Sequence, residues 1–242
     1  MNNGPNCPVS VGHEKAWASL AEQGYALTND RSIGLPDNFR QNFRDRYFNS
    51  GILCHDEGDM PEDRQRARDV IRYRWDGGDL RLRRHESITI TDRAGIPGKR
   101  EHTRVELLKD TQAVNLLHAF LRLVPPDRRQ PDGTFGVNLF RTFTNVVTKP
   151  HHDNEKFIII YVIDRIGDGA NTRLYLPEDV TEDGRVSGAA VIEQQLNPGD
   201  IILFEDELFK HDASPLISLP DRAAMRDALI CTVDNIATYL AP

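Results

Sequence analysis

Residues 151–165 read His-His-Asp-Asn-Glu-Lys-Phe-Ile-Ile-Ile-Tyr-Val-Ile-Asp-Arg, a polar triplet leading into the longest apolar run of the chain, Phe157–Ile163. Seven apolar residues make a strand, whereas a membrane-spanning helix needs ~20. In extended chain, His151 and Asp153 leave the same face with Cα atoms roughly 6.5–7 Å apart, close enough for an imidazole and a carboxylate to converge on one metal ion. His152 then points the other way. The stretch places two candidate ligands just before a buried strand.

Outward from it, everything after Pro125-Pro-Asp-Arg-Arg-Gln-Pro-Asp-Gly133 consists of short apolar segments separated by Gly, Pro, Asp and Asn. Strands are expected at Val137–Val147, Phe157–Ile163, Thr172–Leu176, Ala190–Gln195, Ile201–Glu205 and Asp227–Val233, with a short one near Lys210–Ala213. This cadence predicts a jelly-roll barrel.

The first half mixes helix and strand. Leu35, Phe39 and Phe43 recur at helical spacing within Leu35–Phe48, and Pro36 suits a first turn. Ile71–Trp75 and Leu80–Arg83 alternate apolar and basic residues around the turn Asp76-Gly77-Gly78-Asp79, which is a hairpin pattern. A second hairpin is expected from Ser87–Thr91 through Gly95–Gly98 into Thr103–Leu107. A helix over Thr111–Val124, capped by Asp110, carries Val114, Leu117, Leu121 and Val124 as one buried stripe. The eight arginines between Arg64 and Arg84 read as the solvated face of a half-buried sheet rather than as an anion-binding or nucleic-acid surface. The expected fold is α+β, mainly β: one domain over 1–242, with a jelly-roll core in 135–242 and supporting helices and hairpins in 1–134.

Composition narrows the function classes. With 39% hydrophobic and 28% charged residues among 242, the chain can bury a real core. Its net charge of −7 disfavours nucleic acid, whose partners present basic surfaces. Neither a membrane span nor a signal peptide is read from the sequence. Three cysteines, Cys7, Cys54 and Cys231, lack the spacing of a disulfide framework or zinc cluster, so a reducing cytoplasm is the expected location. Oligomeric state is left open.

His-x-Asp alone is a weak pattern. With 8 His and 24 Asp in 242 residues, chance supplies about 0.8 matches, and there is one. A third ligand strengthens it. His211 follows the turn Asn197-Pro-Gly-Asp200 and the apolar strand Ile201–Phe204, at the end of a hairpin that can return to the barrel mouth. Two imidazoles and one carboxylate form the facial triad that leaves positions open on non-haem Fe(II). Downstream, period-two alternation puts Arg226, Ala228, Ile230 and Thr232 on one face of the last strand. An arginine on so apolar a face needs an anion. Either a bound carboxylate or a protein acid such as Asp206 or Asp212 would serve, and Arg222, in the preceding loop, is a weaker alternative to Arg226.

Taken together, these motifs resemble the 2-oxoglutarate and Fe(II)-dependent dioxygenases of the bacterial free amino-acid hydroxylase type, typified by L-isoleucine 4-hydroxylase. The resemblance spans roughly Val137 to Val233 and is carried in order by Phe140-Arg141, His151-His152-Asp153, Ile163-Asp164-Arg165, Pro198-Gly199-Asp200, His211-Asp212 and Arg226-Asp227. Two places depart from the pattern. Asn154 stands where the family usually has Gly, and Gly169-Ala170-Asn171 replaces Gly-Gly-Glu. The resemblance implies a double-stranded β-helix in which His151, Asp153 and His211 bind Fe(II) and Arg226 anchors 2-oxoglutarate. It further implies hydroxylation of a free small amino acid, aliphatic or cyclic such as pipecolate or proline, with O2 as oxidant and succinate and CO2 as co-products. Because Asp153 is kept, no open ligand position invites halogenation. Arg141 or Arg165 could receive the substrate carboxylate, or could form a structural salt bridge instead. Oxidative cyclisation or desaturation at the same iron, and a redox-silent jelly-roll binding module, are the competing readings.

Overall fold

The computed structural model describes residues 9–54, 64–85, 104–143 and 149–235. In chain order these form α1 (Val11–Gln23), β1 (Tyr25–Asn29), α2 (Phe39–Tyr47), β2 (Arg64–Asp76), β3 (Asp79–Arg84), α3 (Thr111–Leu123), β4 (Asp132–Thr142), β5 (Glu155–Ile166), β6 (Asp168–Gly169), β7 (Thr172–Tyr175), β8 (Ile192–Gln194), β9 (Asp200–Glu205), β10 (Lys210–Ala213), β11 (Leu216–Ile217) and β12 (Met225–Asn235). A seven-stranded antiparallel sheet runs β1-β9-β5-β12-β4-β2-β3. A second sheet runs β10-β7-β8, and β11 pairs with β6.

The apolar run in β5 is explained by what covers its two faces. Phe157, Ile159, Tyr161 and Ile163 pack with Leu229, Cys231 and Val233 of β12 and with Leu116, Leu117 and Phe120 of α3. Ile158, Ile160 and Val162 pack on the opposite side with Ile202 and Phe204 of β9, Leu174 of β7, Leu196 and Phe209. A strand buried on both faces has no polar side to show. The large sheet therefore lies between a helical layer and a second sheet, and the fold is the expected double-stranded β-helix.

Local signals account for the helical layer. Asp110 caps α3 by accepting the Gln112 N–H at 2.9 Å, and its other oxygen takes the Tyr47 hydroxyl at 2.9 Å. That second bond ties α3 to the end of α2. Among the described residues, no helix is long and apolar enough to cross a membrane.

Several boundaries differ from the sequence expectation. Helix α2 begins at Phe39 rather than Leu35, because Gly34 is left-handed (φ 84°) and the Leu35 N–H bonds back to the Asp30 carbonyl, closing a loop just before it. The expected second hairpin lies largely in residues 86–103, outside the described residues, and Leu107–Lys109 is one turn of 3-10 helix rather than a strand end. The last part of the expected strand Val137–Val147 also lies outside them, and β4 ends at Thr142. Neither α1 nor β1 was read from the sequence. The buried face of α1 is Gly12, His13, Ala16 and Leu20, too small and polar to form an apolar stripe. Gly12 is required there, since a Cβ would lie 2.2 Å from the Ser32 carbonyl oxygen.

Candidate active site

Between the sheets, a reciprocal pair of backbone bonds sets the register of the site. The His151 N–H donates to the His211 carbonyl at 3.1 Å, and the His211 N–H donates to the His151 carbonyl at 2.9 Å. The His151 segment thus joins the edge of the second sheet beside β10, and the two imidazole rings stand 4.6 Å apart. Asp153 completes the group: its Oδ1 is 3.7 Å from His151 Nε2 and its Oδ2 is 3.6 Å from His211 Nε2. All three offer a ligand atom, and these atoms lie within 4.8 Å of one another. His152 turns away and contacts the Asp206 carbonyl through Nδ1, as strand alternation requires. Asn154 turns the chain from Asp153 into β5 with a left-handed backbone (φ 61°). Asn is among the few residues besides Gly that tolerate this region, so the departure at this position preserves the turn.

The charge balance favours a cation. Burial alone would push the His211 imidazolium pKa down, but hydrogen bonding and charge from Asp153 and Asp206 outweigh it and raise it to about 9. Two carboxylates therefore flank one buried imidazole, a negative balance that a cation would offset. Neutral imidazole nitrogen and carboxylate oxygen suit Fe(II). The cysteines of the described residues do not compete, since Cys231 is in the helix-side core and Cys54 lies just ahead of β2. The donor set fits the metal.

A pair of arginines faces inward where β12 begins. Arg226 of β12 lies opposite Arg165 of β5. Asp227 aligns with Asp164 but Ala228 with Val162, so Ile163 is an extra residue in β5. This bulge reverses the side-chain parity of β5 beyond it, so Arg165 joins Arg226 on the inner face while Asp164 stays with Asp227 on the helix face. Arg165 is occupied by carbonyls, with Nε 3.0 Å from Gly167 O and Nη2 2.7 Å from Gly169 O. Arg226 is 9% exposed, and among the described residues its Nε and Nη2 have no hydrogen-bond partner. Burial, aided by the charge of Arg165, lowers its pKa to about 10. Neither protein acid considered for it is available. Asp212 is forked by Arg173 at 2.8 and 2.7 Å, and Asp206 accepts the backbone N–H groups of Asp153 and Glu155 at 2.8 and 3.0 Å. A buried guanidinium in this state is costly without an anionic partner. Arg222 is exposed in the loop before β12.

Arg141 corrects an expectation. Its position in β4 turns it to the helix face, where it forks both oxygens of Asp227 at 2.7 Å and donates to the Phe48 carbonyl at 2.9 Å. It forms the structural salt bridge on the helix face. The β2 arginines correct another. Arg72 and Arg74 are exposed as expected, but Arg64, Arg66 and Arg68 alternate onto the inner face of the large sheet and are only partly exposed. The guanidinium carbons of Arg64 and Arg66 lie 4.9 and 5.8 Å from the Phe140 ring centroid. Arg68 reaches over Gly136, where a Cβ would meet Arg68 Nη2 at 3.4 Å and Thr232 Oγ1 at 2.5 Å. The signal for these residues was present in the sequence as alternation with Ala67, Asp69 and Ile71. What it lacked was knowledge of which face is covered. Asp206 carried no such signal.

The sequence profile of the 2OG-Fe dioxygenase family matches residues 56–232. The chain belongs to the 2OG-Fe dioxygenase family. The dioxygenase is thus an enzyme that uses Fe(II), 2-oxoglutarate and O2, which sets aside the redox-silent binding module. Solved structures share its fold at low sequence identity. A bsmA homolog from Methylobium petroleophilum PM1 is 17% identical with a TM-score of 0.72, covering 95% of this chain and 96% of that one. IDO from Bacillus thuringiensis is 16% identical with a TM-score of 0.68, covering 92% and 99%. The Fe(II)/α-ketoglutarate-dependent dioxygenase TqaL is 13% identical with a TM-score of 0.65, covering 93% and 90%. No curated protein matches the sequence.

Proposed function

We propose that the dioxygenase hydroxylates a C–H bond of a free small amino acid, aliphatic or cyclic such as pipecolate or proline, with His151, Asp153 and His211 holding Fe(II) and Arg226 holding the distal carboxylate of 2-oxoglutarate. The observation that carries the site assignment is the buried Arg226 guanidinium with two unpartnered nitrogens on the same inner face as the His–Asp–His group. Bound iron supplies the oxidising chemistry, in which 2-oxoglutarate and O2 become succinate and CO2 as one oxygen atom enters the substrate.

The chain's own residues bind, orient and exclude water. Arg226 donates bidentately to a carboxylate and gains the counter-ion that its burial denies it. Arg165 is pinned by backbone carbonyls and adds a second positive charge at that end. Ile158, Ile160, Val162 and Ile202 line the covered part of the inner face and keep it dry.

An amino-acid substrate brings its own carboxylate. Arg141 is committed to Asp227, and Arg165 stands at the 2-oxoglutarate end. Arg68 is better placed, because glycine at 136 lets its guanidinium lie across β4 toward Thr232. The resemblance to amino-acid hydroxylases supports this substrate class, and the half-buried Arg68 supplies a charged contact on the same sheet face as Phe140, whose ring is flanked by Arg64 and Arg66.

The test is anaerobic addition of Fe(II) and 2-oxoglutarate, read as a visible charge-transfer band, followed by O2 and a panel of free amino acids. The expected result is succinate coupled to a product heavier by one oxygen atom. A product lighter by two hydrogens would indicate desaturation or cyclisation. Product formed only from a carrier-tethered or peptide substrate would overturn the proposed substrate class.

A further inference from the structure

Asp206, at the turn between β9 and β10, is 1% exposed, and among the described residues no Lys or Arg pairs with it. Its two oxygens face different parts of the proposed iron site. Oδ2 accepts the backbone N–H groups of Asp153 and Glu155 at 2.8 and 3.0 Å, on either side of the left-handed Asn154. Oδ1 stands 3.4 Å from Nδ1 of His211, and among the described residues neither of these two buried atoms makes a hydrogen bond. The Asp206 carbonyl also meets the His152 ring.

We propose that Asp206 is a positioning residue for the metal, a single carboxylate that fixes the tautomer of His211 and the backbone presenting Asp153. The proposal rests on the reading of His151, Asp153 and His211 as the ligands. The chemistry follows from the donor inventory. Three N–H donors converge on this side chain: two backbone amides on one oxygen and, with Nε2 kept for the metal, Nδ1–H on the other. An ionised carboxylate accepts at both ends, whereas an amide of the same shape must turn its NH2 toward one of these donors. Holding the proton on Nδ1 leaves the Nε2 lone pair toward Asp153, which is the geometry a metal needs.

The two histidines differ in this respect. His151 Nδ1 is 2.8 Å from the Lys149 carbonyl, a neutral acceptor, while His211 faces a full negative charge. The carboxylate makes His211 the more electron-rich donor and links it through Oδ1, Cγ and Oδ2 to the loop that carries the third ligand. One side chain therefore couples ligands that arrive from two distant parts of the chain.

The experiment uses full-length protein stripped of metal and titrated anaerobically with Co(II), reading affinity by calorimetry and geometry from the visible absorption bands. Asp206→Asn is expected to bind Co(II) about 10–100-fold more weakly with altered bands, while thermal unfolding of the metal-free protein shows the variant folded. Co(II) affinity and bands equal to wild type in folded Asp206→Asn would overturn the positioning role. In parallel, wild-type protein loaded with Zn(II) and carrying 15N-labelled histidine should show His211 bound through Nε2 with a protonated, downfield Nδ1. Binding through Nδ1 would overturn the proposal without recourse to any variant. Asp153→Ala separates the two levels. If it binds Co(II) as wild type does, the ligand reading itself fails; if it loses Co(II) while Asp206→Asn keeps it, only the role of Asp206 falls.

Discussion

Arg226 and Arg165 stand side by side on the inner face of the sheet because one extra residue, Ile163, interrupts the ladder between β12 and β5. Without that bulge Arg165 would share the helix face with Asp227, and Asp164 would point inward. Two guanidiniums meet on this covered face, one satisfied by carbonyls and one with two donors that make no hydrogen bond among the described residues.

Arg226→Met should weaken 2-oxoglutarate binding by about 10- to 150-fold, the equivalent of ~1.5–3 kcal/mol for a charge-assisted contact. Metal affinity should change little. The ligand-free variant should unfold at the same or a higher temperature than wild type, since an unpaired buried cation has been removed. Isothermal titration and thermal scans check both, and an unchanged affinity for 2-oxoglutarate would move the anchor to another basic residue.

Removing the carboxylate in Asp153→Ala should abolish activity and most Fe(II) affinity, because two imidazoles alone leave the dication without a neutralising ligand. His152→Ala should keep the metal, since its ring faces the Asp206 carbonyl and not the cluster. Metal titration of the two variants, compared side by side, reads the register directly.

Breaking the Arg141–Asp227 pair should affect stability before chemistry. Arg141→Met removes both short bonds to a fully buried carboxylate, leaving it Arg44 Nε at 3.9 Å, and should cost up to about 3–5 kcal/mol in denaturant unfolding. The double variant Arg141→Met with Asp227→Leu should recover much of that loss. A stable Arg141→Met protein that has lost only substrate coupling would return Arg141 to the cavity.

Substitution at Arg68 tests the substrate end. Arg68→Ala should retain slow succinate formation without substrate, because the iron and 2-oxoglutarate contacts are untouched, while coupling to a free amino acid falls at least tenfold. Gly136→Ala should act the same way, since a Cβ there collides with Thr232 Oγ1 and crowds Arg68. Coupled turnover, measured as hydroxylated product per succinate, distinguishes these from general loss of activity.

At Asn154, the left-handed backbone predicts an order of stabilities. Asn154→Gly should be neutral within about 0.5 kcal/mol, whereas Asn154→Val should destabilise by about 1–2 kcal/mol. Metal affinity should fall with the β-branched residue, because the turn carries Asp153. Equal stability of the two variants would show that the turn can relax.

Much of this protein is determined by local sequence. The run Phe157–Ile163 dictates a strand covered on both faces, the spacing of His151 and Asp153 dictates a shared face, and Asp110 dictates the start of α3, because each depends only on periodicity or on a side chain reaching its own backbone. The positions of Arg226 and Arg141 on opposite faces follow from alternation once the strands are placed. What alternation cannot supply is which face of β2 is buried, so Arg64, Arg66 and Arg68 read as solvated until the packing of Ala67 and Ile71 against the helices turned them inward. The bulge at Ile163, the approach of Gly12 to Ser32 and the meeting of Asp206 with His211 and the Asp153 loop are likewise tertiary. Each depends on contacts between segments distant in sequence, whose register and spacing are set only when the sheets and helices close around the core.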